Sequence, residues 1–191
     1  MNVFYEVMQQ TFVVAIPLMI VALGGLFSER SGVTNIALEG IMLIGAFFGI
    51  WAVQILERNT GLSVQYLYVI AMLVGAFFGA LFSMLHGFAS IYMKSDQIIS
   101  ATALNLFAVA FVTFTARMTQ RHIDGRPTGG SQISFRSRFL IEEVPVLSRI
   151  PVIGDIFFKQ TFLSIFIGAI ILVLTIVIIN HTKLGLRIRA C

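Results

Sequence analysis

The polar side chains best placed to do chemistry lie in two short stretches, each of which leads into a long apolar run. The first stretch, SERSGVTNIALEG at 28–40, contains Asn35 and Glu39. The second, KSDQIISATALN at 94–105, contains a mixed set of polar groups: Asp96, Gln97, Thr102 and Asn105. Carboxamides, carboxylates and hydroxyls exchange hydrogen bonds with polar solutes, so these residues are candidates for a solute path. No nucleophile is paired with an acid or base among them, as an enzyme active site would require.

Motifs for catalysis, metal binding or nucleotide binding are absent from the sequence. The three histidines, His86, His122 and His181, share no metal-ligand spacing. The patterns His-Glu-x-x-His and Gly-x-Ser-x-Gly and the P-loop pattern do not occur. Cys191 is the single cysteine, so one chain can form no disulfide. The sequence therefore predicts a protein that is not an enzyme, holds no cofactor and binds no ATP through a P-loop.

The composition indicates that these polar groups are set in a membrane. Of the 191 residues, 58% are hydrophobic and only 12% are charged, whereas soluble domains have roughly 25% charged residues. A transmembrane helix needs about 20 mostly apolar residues. Five segments meet this need, near 7–27, 36–56, 65–89, 98–117 and 161–181. The net charge of +4 comes without a basic stripe interleaved with aromatic residues, so no nucleic-acid partner is expected.

The predicted fold is therefore all-α: a polytopic membrane helix bundle of about five spans, with 1–191 forming a single transmembrane domain. Glu39 stands at the start of the second span, where a carboxylate inside hydrocarbon costs about 3 kcal/mol. A helix beginning at Thr34 or Asn35 would put Glu39 on its second turn and on the same face as Asn35. The stretch 28–40 is then either a broken or re-entrant helix at a solute path, or an interfacial loop whose glutamate reaches the headgroups.

The second polar stretch predicts the start of another helix. Asp96 suits the N-cap position, where its carboxylate accepts hydrogen bonds from the backbone N–H of Ile98 or Ile99. Hydroxyl, amide and small side chains follow near one face of that helix: Thr102, Asn105 and Thr113, with Ala101, Ala108 and Ala116. Such a face is either a contact with a neighbouring helix or the lining of a pore.

Two Gly-x-x-x-Gly pairs mark the second and third spans. Gly45 and Gly49 lie in LIGAFFGI, and Gly75 and Gly79 lie in the similar segment LVGAFFGA. Two glycines one helical turn apart open a flat face onto which another helix can pack closely. The pairs predict close helix packing and no more specific function.

The segment 118–159 is the long connection between the predicted spans. It is too polar to cross a membrane, and its second half, VPVLSRIPVIGDIFF at 144–158, is too apolar for a free linker. It predicts a segment on the membrane surface or a cap on the bundle, with a plain connector as the alternative. Eight basic residues lie on the side of this loop and of the N-terminus, and five lie on the other side. The positive-inside rule then favours a cytoplasmic N-terminus.

Three motifs, in this order along the chain, resemble those of one transporter family. They are LFSERSGVTNIALEGIMLIGAF at 26–47, SDQIISATALNLFA at 95–108, and IPVIGDIFFKQ at 150–160 followed by a span and TKLGLRIRA at 182–190. They are similar to the signature of bacterial ABC-importer permeases of the branched-chain amino acid, ribose and nucleoside superfamily. The nucleoside, simple-sugar-type branch is the most similar, and the resemblance extends over essentially the whole chain.

The resemblance implies a multi-pass permease subunit of an ATP-driven importer in a bacterial plasma membrane. Its partners would be a cytoplasmic ABC ATPase, a second permease subunit and an extracytoplasmic substrate-binding lipoprotein. The solute would be nucleoside-like, with sugars and branched-chain amino acids as alternatives. Asn35 and Glu39 would face the interior beside Asp96, Gln97 and Asn105. The C-terminus would be cytoplasmic and the loop 118–159 extracytoplasmic, which is the reverse of the orientation from the charge count.

Family members are longer and continue after TKLGLRIRA with an ATPase-docking segment and further spans. The resemblance therefore implies that 1–191 is a C-terminally truncated permease. Two rivals do not depend on an ATPase. A secondary transporter or channel would move solute along an ion gradient, and a membrane scaffold built on the glycine faces would tolerate changes at the polar residues.

Overall fold

The computed structural model describes residues 3–124, 133, 139–143 and 159–190. Within these ranges the chain forms six helices and two short strands. In chain order they are α1 Val3–Arg30, α2 Leu38–Asn59, α3 Val64–Ile91, α4 Gln97–Asp124, β1 Leu140–Glu143, β2 Lys159–Phe162, α5 Leu163–His181 and α6 Lys183–Arg189. Helices α1 to α5 are long and apolar enough to cross a membrane. The chain is thus a multi-pass membrane protein, and the predicted all-α fold with about five spans is confirmed.

The observed helix ends follow the predicted spans within a few residues, except at the end of α4. That helix continues to Asp124, into the segment that the sequence assigned to the loop 118–159. Most of this loop lies outside the described residues. β1 lies within it and pairs antiparallel with β2, which begins at the last residue of the loop, so that Leu140 lies opposite Phe162 and β2 leads directly into α5. This ribbon brings the two ends of the loop's second half together.

The chain divides into two compact units. One consists of 1–32 and 139–191 and contains α1, the β ribbon, α5 and α6. The other consists of 33–138 and contains α2, α3 and α4. The assignment of 1–191 to a single transmembrane domain stays a prediction.

In the second unit, α2 packs against both α3 and α4. The buried centre is formed by one residue from each helix, Ile44, Phe82 and Ala108. Nearby, the rings of Phe48 and Phe78 stack with their centroids 3.8 Å apart. The outer faces carry many exposed apolar side chains, which suits contact with lipid, because lipid tails are as apolar as the side chains themselves.

Helices α2 and α3 come closest where their glycines face each other. A Cβ added to Gly45 would lie 2.9 Å from the carbonyl oxygen of Gly75, and a Cβ added to Gly75 would lie 2.9 Å from that of Gly45. A Cβ at Gly49 would lie 2.8 Å from the carbonyl oxygen of Ala71. At Gly79 the nearest atom is the Ile41 Cγ2, at an ordinary 3.6 Å. Three of the four predicted packing glycines therefore sit where a side chain would meet backbone of the other helix.

In the first unit, α1 packs along α5. The contact is close at Gly168, where an added Cβ would lie 2.6 Å from Cγ2 of the buried Ile16. Thr182 then separates α5 from α6. Its hydroxyl donates to the carbonyl of Ile178 at 2.6 Å and accepts from the N–H of Gly185 at 3.2 Å. The threonine thus ends one helix and caps the next, since its oxygen satisfies a free N–H in the first turn of α6.

Candidate functional site

The segment between α1 and α2 is not helical, as a helix break requires. The chain leaves α1 at Arg30, turns at Gly32 with φ +79°, and enters α2 only at Leu38. Residues 33–40 together with the start of α4, 97–105, form a polar contact that we call the junction. All of its residues belong to the second unit.

Asn105 holds the start of α2 with both ends of its side chain. Its Oδ1 accepts from the backbone N–H of Gly40 at 2.8 Å, and its Nδ2 donates to the carbonyl of Ile36 at 3.0 Å. The first N–H groups of a helix have no partner within that helix, so the carboxamide supplies one from α4. Gly40 permits this approach, because an added Cβ would lie 2.8 Å from the Asn105 Oδ1 and 3.2 Å from the Ala108 Cβ.

Gln97 makes the second bond across the junction. Its Oε1 accepts from the backbone N–H of Thr34 at 2.8 Å. Asn35 acts locally instead, since its Oδ1 accepts from the N–H of Ala37 at 3.0 Å and closes a tight turn. Ala37 is fully buried at the end of this turn. Amide side chains therefore bond several groups of the non-helical backbone, as irregular backbone at membrane depth would require.

Asp96 caps α4, as its position in the sequence predicted. Its Oδ1 accepts from the N–H groups of Ile98 at 2.8 Å and Ile99 at 3.2 Å. Thr102 is exposed, and its hydroxyl donates to the carbonyl of Ile98 in its own helix at 2.8 Å. Neither side chain bonds to the 33–40 segment.

Helix α2 begins at Leu38, two residues after the start of the predicted span. The condition under which Asn35 and Glu39 would share a helical face, a helix beginning at Thr34 or Asn35, is therefore not met, and Asn35 precedes the helix. The turn closed by Asn35 delays the helix, so Glu39 falls in the first turn rather than the second. There it is exposed, and it makes no hydrogen bond or ion pair with any other residue that the structure describes. The positive end of the helix dipole favours a carboxylate at that place.

The buried alanines of α4 lie apart from the hydroxyl of Thr102. Ala101, Ala108 and Ala116 are buried, at 0%, 0% and 2% exposure, so they form a helix contact. Thr102 is one residue further on, about 100° around the helix, and lies away from that contact. The sequence left open whether this face of α4 contacts a neighbouring helix or lines a pore, and the burial of the alanines favours the helix contact.

Sequence reasoning missed a polar contact between α3 and α4. His86 is buried, with 2% exposure, and its Nδ1 lies 3.3 Å from the Ser100 Oγ. The available signal was a histidine inside an otherwise uncharged span, because such a group needs a polar partner. Its partner could not be read from spacing, since it lies on another helix. Over the described ranges, no three His, Cys, Asp or Glu side chains are grouped so that they could hold a metal ion.

These features define a multi-pass membrane protein whose second helix begins at a polar, irregular junction. The chain belongs to the family described as branched-chain amino acid transport system, permease component, whose sequence profile matches residues 7–191. The family resemblance inferred from the three motifs is thereby confirmed.

The chain is also similar to individual permeases whose names give a solute. The nucleoside ABC transporter permease protein NupC of Lactococcus lactis is 35% identical over 189 residues, which is 99% of this chain and 56% of the relative. The guanosine ABC transporter permease protein NupQ of Bacillus subtilis is 35% identical over 181 residues, or 94% of this chain and 53% of the relative. A putative glucose ABC transporter permease protein of Haloferax volcanii, TsgC13, is 33% identical over 147 residues, which is 75% of this chain and 39% of the relative.

The chain spans about half the length of these first two curated relatives. No solved structure matches it significantly. The relatives are transporter permeases by name, and permeases of this class are membrane subunits rather than enzymes.

Proposed function

We propose that this chain forms part of the transmembrane permease of an ATP-driven nucleoside importer. The observation that carries the proposal is the similarity to NupC, which extends over 99% of the chain at 35% identity. NupQ, which is named as a guanosine permease, supports the same solute class at equal identity. The putative glucose permease TsgC13 matches a smaller share of the chain, so glucose is the second solute to test.

The other subunits of the complex are those expected for an ATP-driven importer. The chain carries no P-loop, so ATP would be bound and hydrolysed by a separate cytoplasmic ABC ATPase. A second permease subunit would complete the membrane path, and an extracytoplasmic lipoprotein would deliver the solute. The complex would lie in a bacterial plasma membrane, with the C-terminus of this chain inside and the segment 118–159 outside.

The junction would serve as the fixed frame of the solute path. Interrupted helices present helix ends and polar groups to solutes in membrane transporters. In the junction, Gln97 and Asn105 are occupied by backbone partners, so we assign them to positioning. Glu39 is exposed in the first turn of α2, and we assign it to the path itself. A carboxylate can accept hydrogen bonds from the hydroxyls of a ribose.

A segment exchange tests the proposal. The aligned part of NupC would be replaced by residues 1–191 of this chain and produced in Lactococcus lactis cells that lack NupC. Uptake of radiolabelled guanosine, uridine, glucose and leucine would then be measured separately. We expect saturable nucleoside uptake that stops when cellular ATP is depleted.

Membrane content of the exchanged protein, measured by immunoblot, provides the control for expression. Glucose or leucine uptake without nucleoside uptake would contradict the solute class. Uptake that persists after ATP depletion but stops with the ion gradient would contradict the importer and favour a secondary transporter. A well-expressed exchanged protein without any uptake would count against the assignment of this segment to the solute path.

A further inference from the structure

The polar contact between α3 and α4 extends beyond the His86–Ser100 pair. The Ser100 hydroxyl lies 3.3 Å from the His86 Nδ1 and 3.2 Å from the carbonyl oxygen of Gln97. The side chain of the same Gln97 accepts from the N–H of Thr34. A chain of contacts therefore leads from the buried histidine of α3, through the first turn of α4, to the junction.

Two buried polar atoms of α3, one of them on His86 itself, lack a partner within the described part of the protein. They are the His86 Nε2 and the Ser90 Oγ. His86 and Ser90 are four residues apart in α3, so they lie on the same face of the helix. A buried donor or acceptor without a partner costs about 1–3 kcal/mol, and such atoms in native proteins are usually bonded to protein or to an ordered water.

We propose that the His86 Nε2 and the Ser90 Oγ together bind one ordered water molecule between α3 and α4. Water suits the site because it both donates and accepts hydrogen bonds. If the Ser100 hydroxyl donates to Gln97, the His86 Nδ1 carries the proton and Nε2 accepts from the water. If Ser100 donates to Nδ1 instead, Nε2 donates to the water. The Ser90 hydroxyl can rotate to match either case.

A metal ion is a poorer occupant than water. The described residues contain no group of three His, Cys, Asp or Glu that could hold one. With 2% exposure at His86, the place is also closed to a solute of nucleoside size. Buried waters typically join two to four polar groups that lack other partners. The two atoms here would give the water two partners, the smallest number in that range.

The bound water would tie the last turns of α3 to the start of α4. Since Gln97 belongs to the same chain of contacts and holds Thr34, the water would help to fix the frame of the junction. This inference rests on the packing of α3 and α4 alone and does not depend on which solute is transported.

The direct test is an experimental structure of the full permease that contains this chain, at a resolution where ordered waters are visible. We expect a density peak roughly 2.7–3.2 Å from both the His86 Nε2 and the Ser90 Oγ. A dry site, or a direct hydrogen bond between the two side chains, would overturn the proposal.

A double-mutant cycle gives an independent readout in the same purified protein. Ser90→Ala should lower the melting temperature of the wild type, because the water loses one partner. In the His86→Phe background the Ser90 hydroxyl is buried without the water as a partner. Ser90→Ala should therefore leave the melting temperature unchanged there, or raise it. Equal effects in both backgrounds would contradict a shared water.

Thr113→Val is the matched control for loss of a hydroxyl. The Thr113 hydroxyl donates to the carbonyl of Val109 in its own helix at 2.6 Å, so its removal should give the same shift with or without His86→Phe. If His86→Phe does not fold, the density at the site decides the proposal by itself.

Discussion

Replacing Gly75 by alanine tests the close contact between α2 and α3. The new Cβ would lie 2.9 Å from the carbonyl oxygen of Gly45 and 3.5 Å from its carbonyl carbon. Real Cβ atoms essentially never approach within 3.0 Å of another atom, and the opposing atom belongs to helix backbone, so no side chain can rotate away. The two helices must therefore move apart by a few tenths of an ångström.

Two opposing contributions determine the size of the effect. Forcing an extra carbon into a packed contact typically costs about 1–3 kcal/mol. Alanine in place of glycine inside a helix returns about 1 kcal/mol through its better helix propensity. The expected net change is a loss of about 0–2 kcal/mol in unfolding free energy. Gly87→Ala, in the same helix, gains the propensity without the clash, because no atom lies within 4 Å of the added Cβ.

The difference between the two variants is thus the quantity to measure, and it should be about 1–3 kcal/mol. Thermal or denaturant unfolding of the purified full permease provides it. The unfolding free energy of Gly79→Ala should be close to that of Gly87→Ala, since the added Cβ at Gly79 makes an ordinary 3.6 Å contact with Ile41. Gly45→Ala combined with Gly75→Ala should cost less than the sum of the two, because the helices have already separated. Equal stability of the Gly75 and Gly87 variants would refute the reasoning.

Three further predictions concern the polar groups of the junction. Asn105→Leu leaves the Gly40 N–H and the Ile36 carbonyl without their partner, so the unfolding free energy should fall by about 2–4 kcal/mol. A smaller loss than that caused by leucine at an exposed position of α4 would contradict the two hydrogen bonds of Asn105. Asp96→Ala removes the cap of α4 and should cost about 1 kcal/mol in the same assay, with Asp96→Asn retaining most of the stability. Glu39→Gln should lower stability by no more than about 1 kcal/mol, the share of the helix dipole, but should lower nucleoside uptake in the exchanged NupC protein; unaltered uptake would exclude a role for the charge.

The helices were predictable from the sequence because their signal is local. Long apolar runs with at most one charged residue mark each span, and lipid imposes internal backbone bonding on every one of them. The cap at Asp96 was predictable for the same reason, since its partners lie two and three residues away. The glycine pairs indicated a close contact, but the sequence did not say that Gly45 would face Gly75 across α2 and α3.

The roles of the amide side chains could not be predicted, because their partners are distant in sequence. Gln97 bonds to a backbone group 63 residues away, and Asn105 bonds to groups 65 and 69 residues away. The sequence shows that an amide can bond to a solute, but it does not show which backbone groups a helix break leaves without partners. The start of α2 at Leu38 rather than at Thr34 or Asn35 has a local cause, since the turn closed by Asn35 competes with the helix for the same residues.

The structure thereby separates two kinds of polar residue that the sequence grouped together. A helix break within a membrane protein exposes backbone N–H and carbonyl groups that lipid cannot satisfy, so a protein that uses such a break must supply other partners for them, and amide side chains are one kind. Gln97 and Asn105 do this, and their loss should appear first as a loss of folded protein. Glu39 bonds to no other described residue, so its loss should appear in uptake while folding is retained. Comparing stability and uptake for the same variants therefore distinguishes residues that hold the junction from residues that line the proposed solute path.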